Sequence, residues 1–141
     1  MTTLNQYRWD DLAVGMKHSF DATCTDEMTQ NFAQLSGDLN PLHVDRNYAV
    51  AAGFPGPVLF GMMTSALYSK LVGVYLPGKY ALLQGIDIHF HHPCFASDEL
   101  TVTGEIVFLG GALRQMEIKA AIRNQHSKLI SRATIRVGMH D

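Results

Sequence analysis

Between residues 59 and 75 the chain reads LFGMMTSALYSKLVGVY, with apolar residues on nearly every side of a helical wheel. A helix of this kind has almost no face to offer water, so the rest of the fold must enclose it on most sides. By length alone residues 58–76 could cross a bilayer. Thr64, Ser65, Ser69, Lys70 and two glycines interrupt the run, however, and favour a helix buried in a soluble body.

The sequence after LPGK supplies the enclosure. ALLQGIDIHF places Ile86, Ile88 and Phe90 on one face and Asp87, His89 and His91 on the other. ELTVTGEIVFL sets Leu100, Val102, Ile106 and Phe108 against Thr101, Thr103 and Glu105. QMEIKAAI and SRATIRV alternate in the same way, with Met116, Ile118, Ala120, Ile122, Ala133, Ile135 and Val137 as the apolar set. GG and NQHSK read as hairpin connections between the last three. One enveloped helix and one sheet with a single apolar face predict an α+β fold in which an antiparallel sheet wraps a long central helix, the hot-dog arrangement. Such a sheet has open edges, and pairing them between subunits predicts a homodimer.

Upstream, TDEMTQNFAQLSG predicts a helix capped by Thr25, with Met28, Phe32 and Leu35 on one face and Gly37 as its terminator. Asp45 is placed to cap a second helix that ends at Gly53, before the stiff GFPGP loop. The first twenty residues offer Trp9, Leu12 and Val14 as anchors. A length of 141 residues, 47% hydrophobic and 17% charged, predicts one domain over 1–141 with a sizeable core. A net charge of -2 argues against a nucleic-acid partner. Cys24 and Cys94 are too few for a disulfide scaffold, and the start shows no charged leader with an apolar run behind it. A cytoplasmic protein that neither enters a membrane nor is exported is expected.

SGDLNPLHVD, residues 36–45, is the stretch with chemistry in it. It holds Asp38 and His43 on a short backbone stiffened by Pro41. Alone, Asp38 after a helix-ending glycine is an ordinary turn residue, and a single histidine is usually structural. His89, His91 and His92 suggest a metal site only weakly, because no further carboxylate or thiol beyond Asp87 has a persuasive spacing; a polar sheet face near a dimer seam is the better reading.

Taken together, FAQLSGDLNPLHVDRNYA, the GMMTSALYSKLVGVYLPGK segment and GIDIHFHHPCFASDELTVTGEI resemble the (R)-specific enoyl-CoA hydratases, or MaoC-like hydratases, from residue 25 onward. The resemblance implies Asp38 and His43 as the catalytic pair, the Gly61 N–H as the donor that polarises a thioester carbonyl, and Ser69 as support for the site. Asn40 reads as a loop-shaping side chain. Phe60 departs from the family, where histidine often precedes the Gly-Met pair, and this bears on the acyl group accepted. The implied reaction is reversible hydration of trans-2-enoyl-CoA to (R)-3-hydroxyacyl-CoA, with no metal and no cofactor other than the coenzyme A thioester of the substrate. Chemically, the addition needs an acid–base pair around one water and a donor for charge on the thioester oxygen. Three alternatives remain: a dehydratase acting on acyl-carrier protein, a hot-dog thioesterase, and an acyl-CoA-binding module. Residues 61–76 contain no Asp or Glu, which counts against the thioesterase.

Overall fold

The computed structural model describes residues 3–141. Five strands, β1 (Lys17–Ala22), β2 (Ala81–Phe90), β3 (Leu100–Gly110), β4 (Gln115–Arg123) and β5 (Leu129–Met139), form one antiparallel sheet in the order β1-β3-β4-β5-β2. Among the described residues four α-helices precede β2: α1 (Asp26–Ser36), α2 (Pro41–Val44), α3 (Arg46–Ala51) and α4 (Gly61–Lys70), the last continued by a π-helical turn, Leu71–Tyr75. This is the hot-dog layout that the patterning predicts, with α4 as the central helix. No helix among the described residues is long and apolar enough to cross a membrane.

Close contact between helix and sheet depends on Gly104 of β3. A Cβ there would lie 2.6 Å from Leu71 Cδ2, so a side chain would push the central helix off the sheet. Around that contact the inward residues Val102, Ile106, Met116, Ile118, Ile122, Ile135 and Val137 are buried. The Tyr68 hydroxyl meets Ser131 Oγ at 2.8 Å, which satisfies both polar groups inside the core.

Several expectations need correction. β1 is a strand that the opening twenty residues hide, because its inward set is His18, Phe20 and Ala22; His18 stacks on Tyr75 at 4.1 Å. Val14 is 61% exposed and anchors nothing, whereas Leu12 is buried and Trp9 packs against the core. On α1 only Phe32 and Ala33 meet the body, and Leu35 at its far end is 85% exposed. Phe108 points outward because the ladder slips between Ile106 and Phe108; the bulge leaves Phe108 opposite Glu117 and turns Leu109 toward the core. Ile86 and Phe90 share the inward face of β2 with Ile88, yet remain exposed because β2 is the last strand and nothing lies beyond it. Central helix α4 likewise leaves Met62, Ala66 and Ser69 open along one side.

The bulge makes a mutational prediction. Ile106→Ala removes a fully buried side chain and should cost about 2–5 kcal/mol. Phe108→Ala, two residues later, should stay within about 0.5 kcal/mol. Urea unfolding of the two variants decides, and equal losses would mean that the strand alternates without a bulge.

Candidate active site

The turn after α1 is built by side chains that each satisfy a backbone N–H two residues ahead. Gly37 ends α1 with φ at 74°, in the left-handed region. Ser36 Oγ accepts from Asp38 N–H at 3.1 Å, Asp38 Oδ1 from Asn40 N–H at 3.0 Å, and Asn40 Oδ1 from Leu42 N–H at 3.0 Å. Pro41 supplies the first helical residue of α2, where its missing N–H costs nothing. Asn40 is therefore a helix cap, the loop-shaping role its sequence position suggests. The ladder delivers His43 on a rigid short helix.

His43 is held at its edge and on its face. Its Nδ1 lies 2.6 Å from the Val58 carbonyl oxygen, which can only accept, so Nδ1 carries the proton and Nε2 is left to exchange one. The imidazole lies against the Phe60 ring with centroids 4.3 Å apart and planes inclined by 32°. The segment from Val58 to Phe60 is bonded to three neighbours. Val58 N–H donates to the Leu42 carbonyl, Leu59 N–H donates to the Cys94 carbonyl, and the Phe60 carbonyl accepts from Thr64 N–H.

Gly61 opens α4, and its N–H has no backbone acceptor among the described residues. The Thr64 and Ser65 hydroxyls both donate to the Gly61 carbonyl, at 2.9 and 2.8 Å, and pin a residue that would otherwise be the most flexible in the turn. A Cβ at 61 would lie 2.9 Å from Phe90 Cε1, so the half-exposed Phe90 ring would have to shift to admit one. Sequence reasoning missed Thr64 and Ser65, although hydroxyls three and four residues after a helix-opening glycine are a readable signal.

His43, Gly61, Thr64, Phe90 and His91 line a cavity of about 280 Å³. On the other side of His43, a groove of about 1030 Å³ runs between α1, α2 and the Pro55–Pro57 loop. Both recesses share His43, Val58 and Leu59. His43 and Gly61 are thus brought together. Asp38 lies exposed on the turn and lines neither recess, and Ser69 faces outward on α4. The three histidines diverge. His89 sits on the outer sheet face 3.3 Å from Asp87, whereas His91 and His92 leave the strand beside the cavity. Among the described residues no three His, Cys, Asp or Glu side chains gather as metal ligands.

Cys94, also on the cavity wall, is a poor nucleophile. Burial pushes its thiol from 9.0 up to about 12, helped by the Asp98 carboxylate and by Cys24, so it stays protonated at neutral pH. Asp98 is itself buried and held by Phe95 N–H and Gln125 Nε2, both at 2.9 Å. Cys94 therefore offers no thiolate for a covalent mechanism at neutral pH.

Residues 12–128 match the family described as MaoC like domain. The chain belongs to that family. Among curated members, it is 41% identical over 78 residues to the (R)-specific enoyl-CoA hydratase of Aeromonas caviae, covering 55% of this chain and 58% of that protein. It is 27% identical over 101 residues to the mitochondrial 3-hydroxyacyl-[acyl-carrier-protein] dehydratase of Arabidopsis thaliana, covering 70% of this chain and 60% of that one. These alignments span less than two thirds of either relative. The solved (R)-hydratase from A. caviae involved in PHA biosynthesis superposes with a TM-score of 0.88 at 31% identity, covering 92% of this chain and 98% of that chain. This MaoC-like chain therefore shares its whole fold with a hydratase.

The raised thiols set an alkaline limit. Cys24 and Cys94 keep their protons in the folded state at pH values where the unfolded chain loses them, so their contribution to stability is complete below about pH 9 and declines above it. Denaturant unfolding from pH 7 to 11 should show this decline, and Cys94→Ala should flatten it. An unchanged slope in that variant would assign the decline to other groups.

Proposed function

We propose that the chain is a hydro-lyase that adds water reversibly to a trans-2-enoyl-CoA and forms the (R)-3-hydroxyacyl-CoA, using Asp38, His43 and Gly61. The observation that carries this reading is one cavity lined by both His43, with Nδ1 fixed on Val58, and Gly61, the first residue of the central helix. Asp38 and His43 hold the reacting water between them. As its oxygen bonds to C3, the C2=C3 electron pair shifts toward the carbonyl, and charge collects on the thioester oxygen. The Gly61 N–H and the positive end of α4 receive that charge. The water's proton passes to the Asp38–His43 pair and a proton from the pair goes to C2, which returns the pair to its starting state. No step calls for a metal or a redox cofactor.

Loss of crotonyl-CoA absorbance measures the reaction. Asp38→Asn and His43→Gln should each lower kcat by roughly 10²–10⁴-fold. The double variant should lose far less than the product of the two losses, because the groups act as a unit. A folded Asp38→Asn that keeps most of its activity would remove Asp38 from the mechanism. An (S) product on chiral analysis would overturn the stereochemical assignment.

The similarity to the Arabidopsis carrier-protein dehydratase supports a second reading, in which the same chemistry acts on a chain held by acyl-carrier protein. Comparing kcat/KM for the crotonyl group on CoA and on carrier protein separates the two. The cysteines are free thiols, consistent with a reducing compartment such as the cytoplasm.

A second copy of this chain is the proposed partner. Unpaired β2 carries exposed Leu82, Leu83, Ile86 and Phe90, and Met62 lies open on α4, so an apolar edge and an apolar helix flank face solvent together. Joining two β2 edges would cover both, and would enclose Ser69 and the Phe90 side of the cavity. Light scattering should give a dimer at micromolar concentration; a stable monomer with full activity would refute this.

A further inference from the structure

We infer that Phe60 is a positioning residue that sets the plane of the His43 imidazole and ties it in register to the Gly61 N–H. This rests on the hydro-lyase reading above and assigns Phe60 a part in it. The covalent attachment at Cγ and the hydrogen bond at Nδ1 fix one edge of the ring but leave its plane able to tilt about that edge. The Phe60 face, 4.3 Å away, removes this second freedom. Phe60 is itself immobile: it is 1% exposed, and the Phe32 ring of α1 lies 4.9 Å from it, inclined by 50°. The order Phe32, Phe60, His43 thus carries the position of α1 through to the imidazole.

Covalent adjacency makes this contact more than packing. Phe60 caps the N-terminus of α4, so the residue whose ring supports the imidazole is bonded directly to the residue whose N–H faces the developing charge. Phe60 also gives its carbonyl to Thr64 N–H, which fixes its backbone to the first turn of the helix. Proton transfer from the attacking water and to C2, and charge uptake at the thioester oxygen, must be served at the same time, a few ångströms apart. One residue spanning both groups holds that separation constant while substrates come and go. A misplacement of about 1 Å between reacting groups costs on the order of 10²-fold in rate.

Two substitutions at Phe60 separate positioning from filling space. Phe60→Leu keeps apolar bulk and loses the planar face; Phe60→His keeps a flat ring and adds polarity. If the ring plane is what matters, Phe60→Leu lowers kcat by roughly 10²-fold with little change in KM, and Phe60→His recovers much of that loss. If Phe60 only fills the core, the order reverses: Leu stays near wild type and His loses stability and activity together. A readout independent of the variants' folding comes from the wild-type protein, where the Phe60 ring current should shift the His43 ring protons upfield. These signals are assigned by their disappearance in His43→Gln. An unshifted His43 overturns the inference whatever the variants do. If His43→Gln is inactive while Phe60→Leu keeps full kcat, only the role of Phe60 falls; if His43→Gln is active, the hydro-lyase reading falls with it.

Discussion

The extended segment Val58–Phe60 is the constraint on which the site depends. Its backbone is bonded to α2 through Leu42, to the β2–β3 loop through Cys94, and to α4 through Thr64. The Val58 carbonyl of the same segment holds the imidazole. Three elements thus meet on three consecutive residues, and His43 and Gly61 sit at the two ends of that segment. The Pro55 and Pro57 rings before it restrict the approaching chain, so little conformational freedom remains to be lost when substrate binds.

Charge is used sparingly in this arrangement. The cavity wall carries three histidines, the Thr64 side chain and apolar groups, and the start of α4 adds a fixed dipole. Burial keeps the Cys94 thiol protonated, so it adds neither a charge nor a nucleophile to the cavity wall at neutral pH. The hydroxyls of Thr64 and Ser65 spend their protons on one carbonyl rather than facing substrate. Polarity here serves mainly to hold the backbone donors still, which is where electrostatic preorganisation is most effective.

Much of the fold was legible from period alone, because β3, β4 and β5 are packed on one face and open on the other, and this writes an alternating pattern. The pattern fails where that condition lapses. β1 carries His18 at an inward position and looks polar. The slip at Val107 reverses the parity of Phe108, which no residue type announces. Met28, Leu35, Ile86 and Phe90 are apolar without being covered within one chain, so counting apolar residues overstates what this chain buries. At the site, the helix cap of Asn40 and the places of His43 and Gly61 were readable from the motif, since these depend on local spacing. The partner of His43 is a main-chain carbonyl fifteen residues away, and any residue at position 58 would present one; side-chain identity carries no trace of it. Asp38 and Ser69 line neither recess of a single chain, and their motif positions alone do not reveal this.

The strand order has a consequence for how the molecule assembles. β3, β4 and β5 are joined by tight hairpins and sit together in the middle of the sheet, whereas β1 and β2, first in the chain, take its two outer places. The central meander closes through local contacts, and the outer strands must each find it across a longer loop, at a greater entropic cost. All of α1–α4 lies between those two late-arriving strands. His43 and Gly61 therefore lie in the stretch whose closure against the sheet carries the larger loop entropy, above a meander whose own contacts are local.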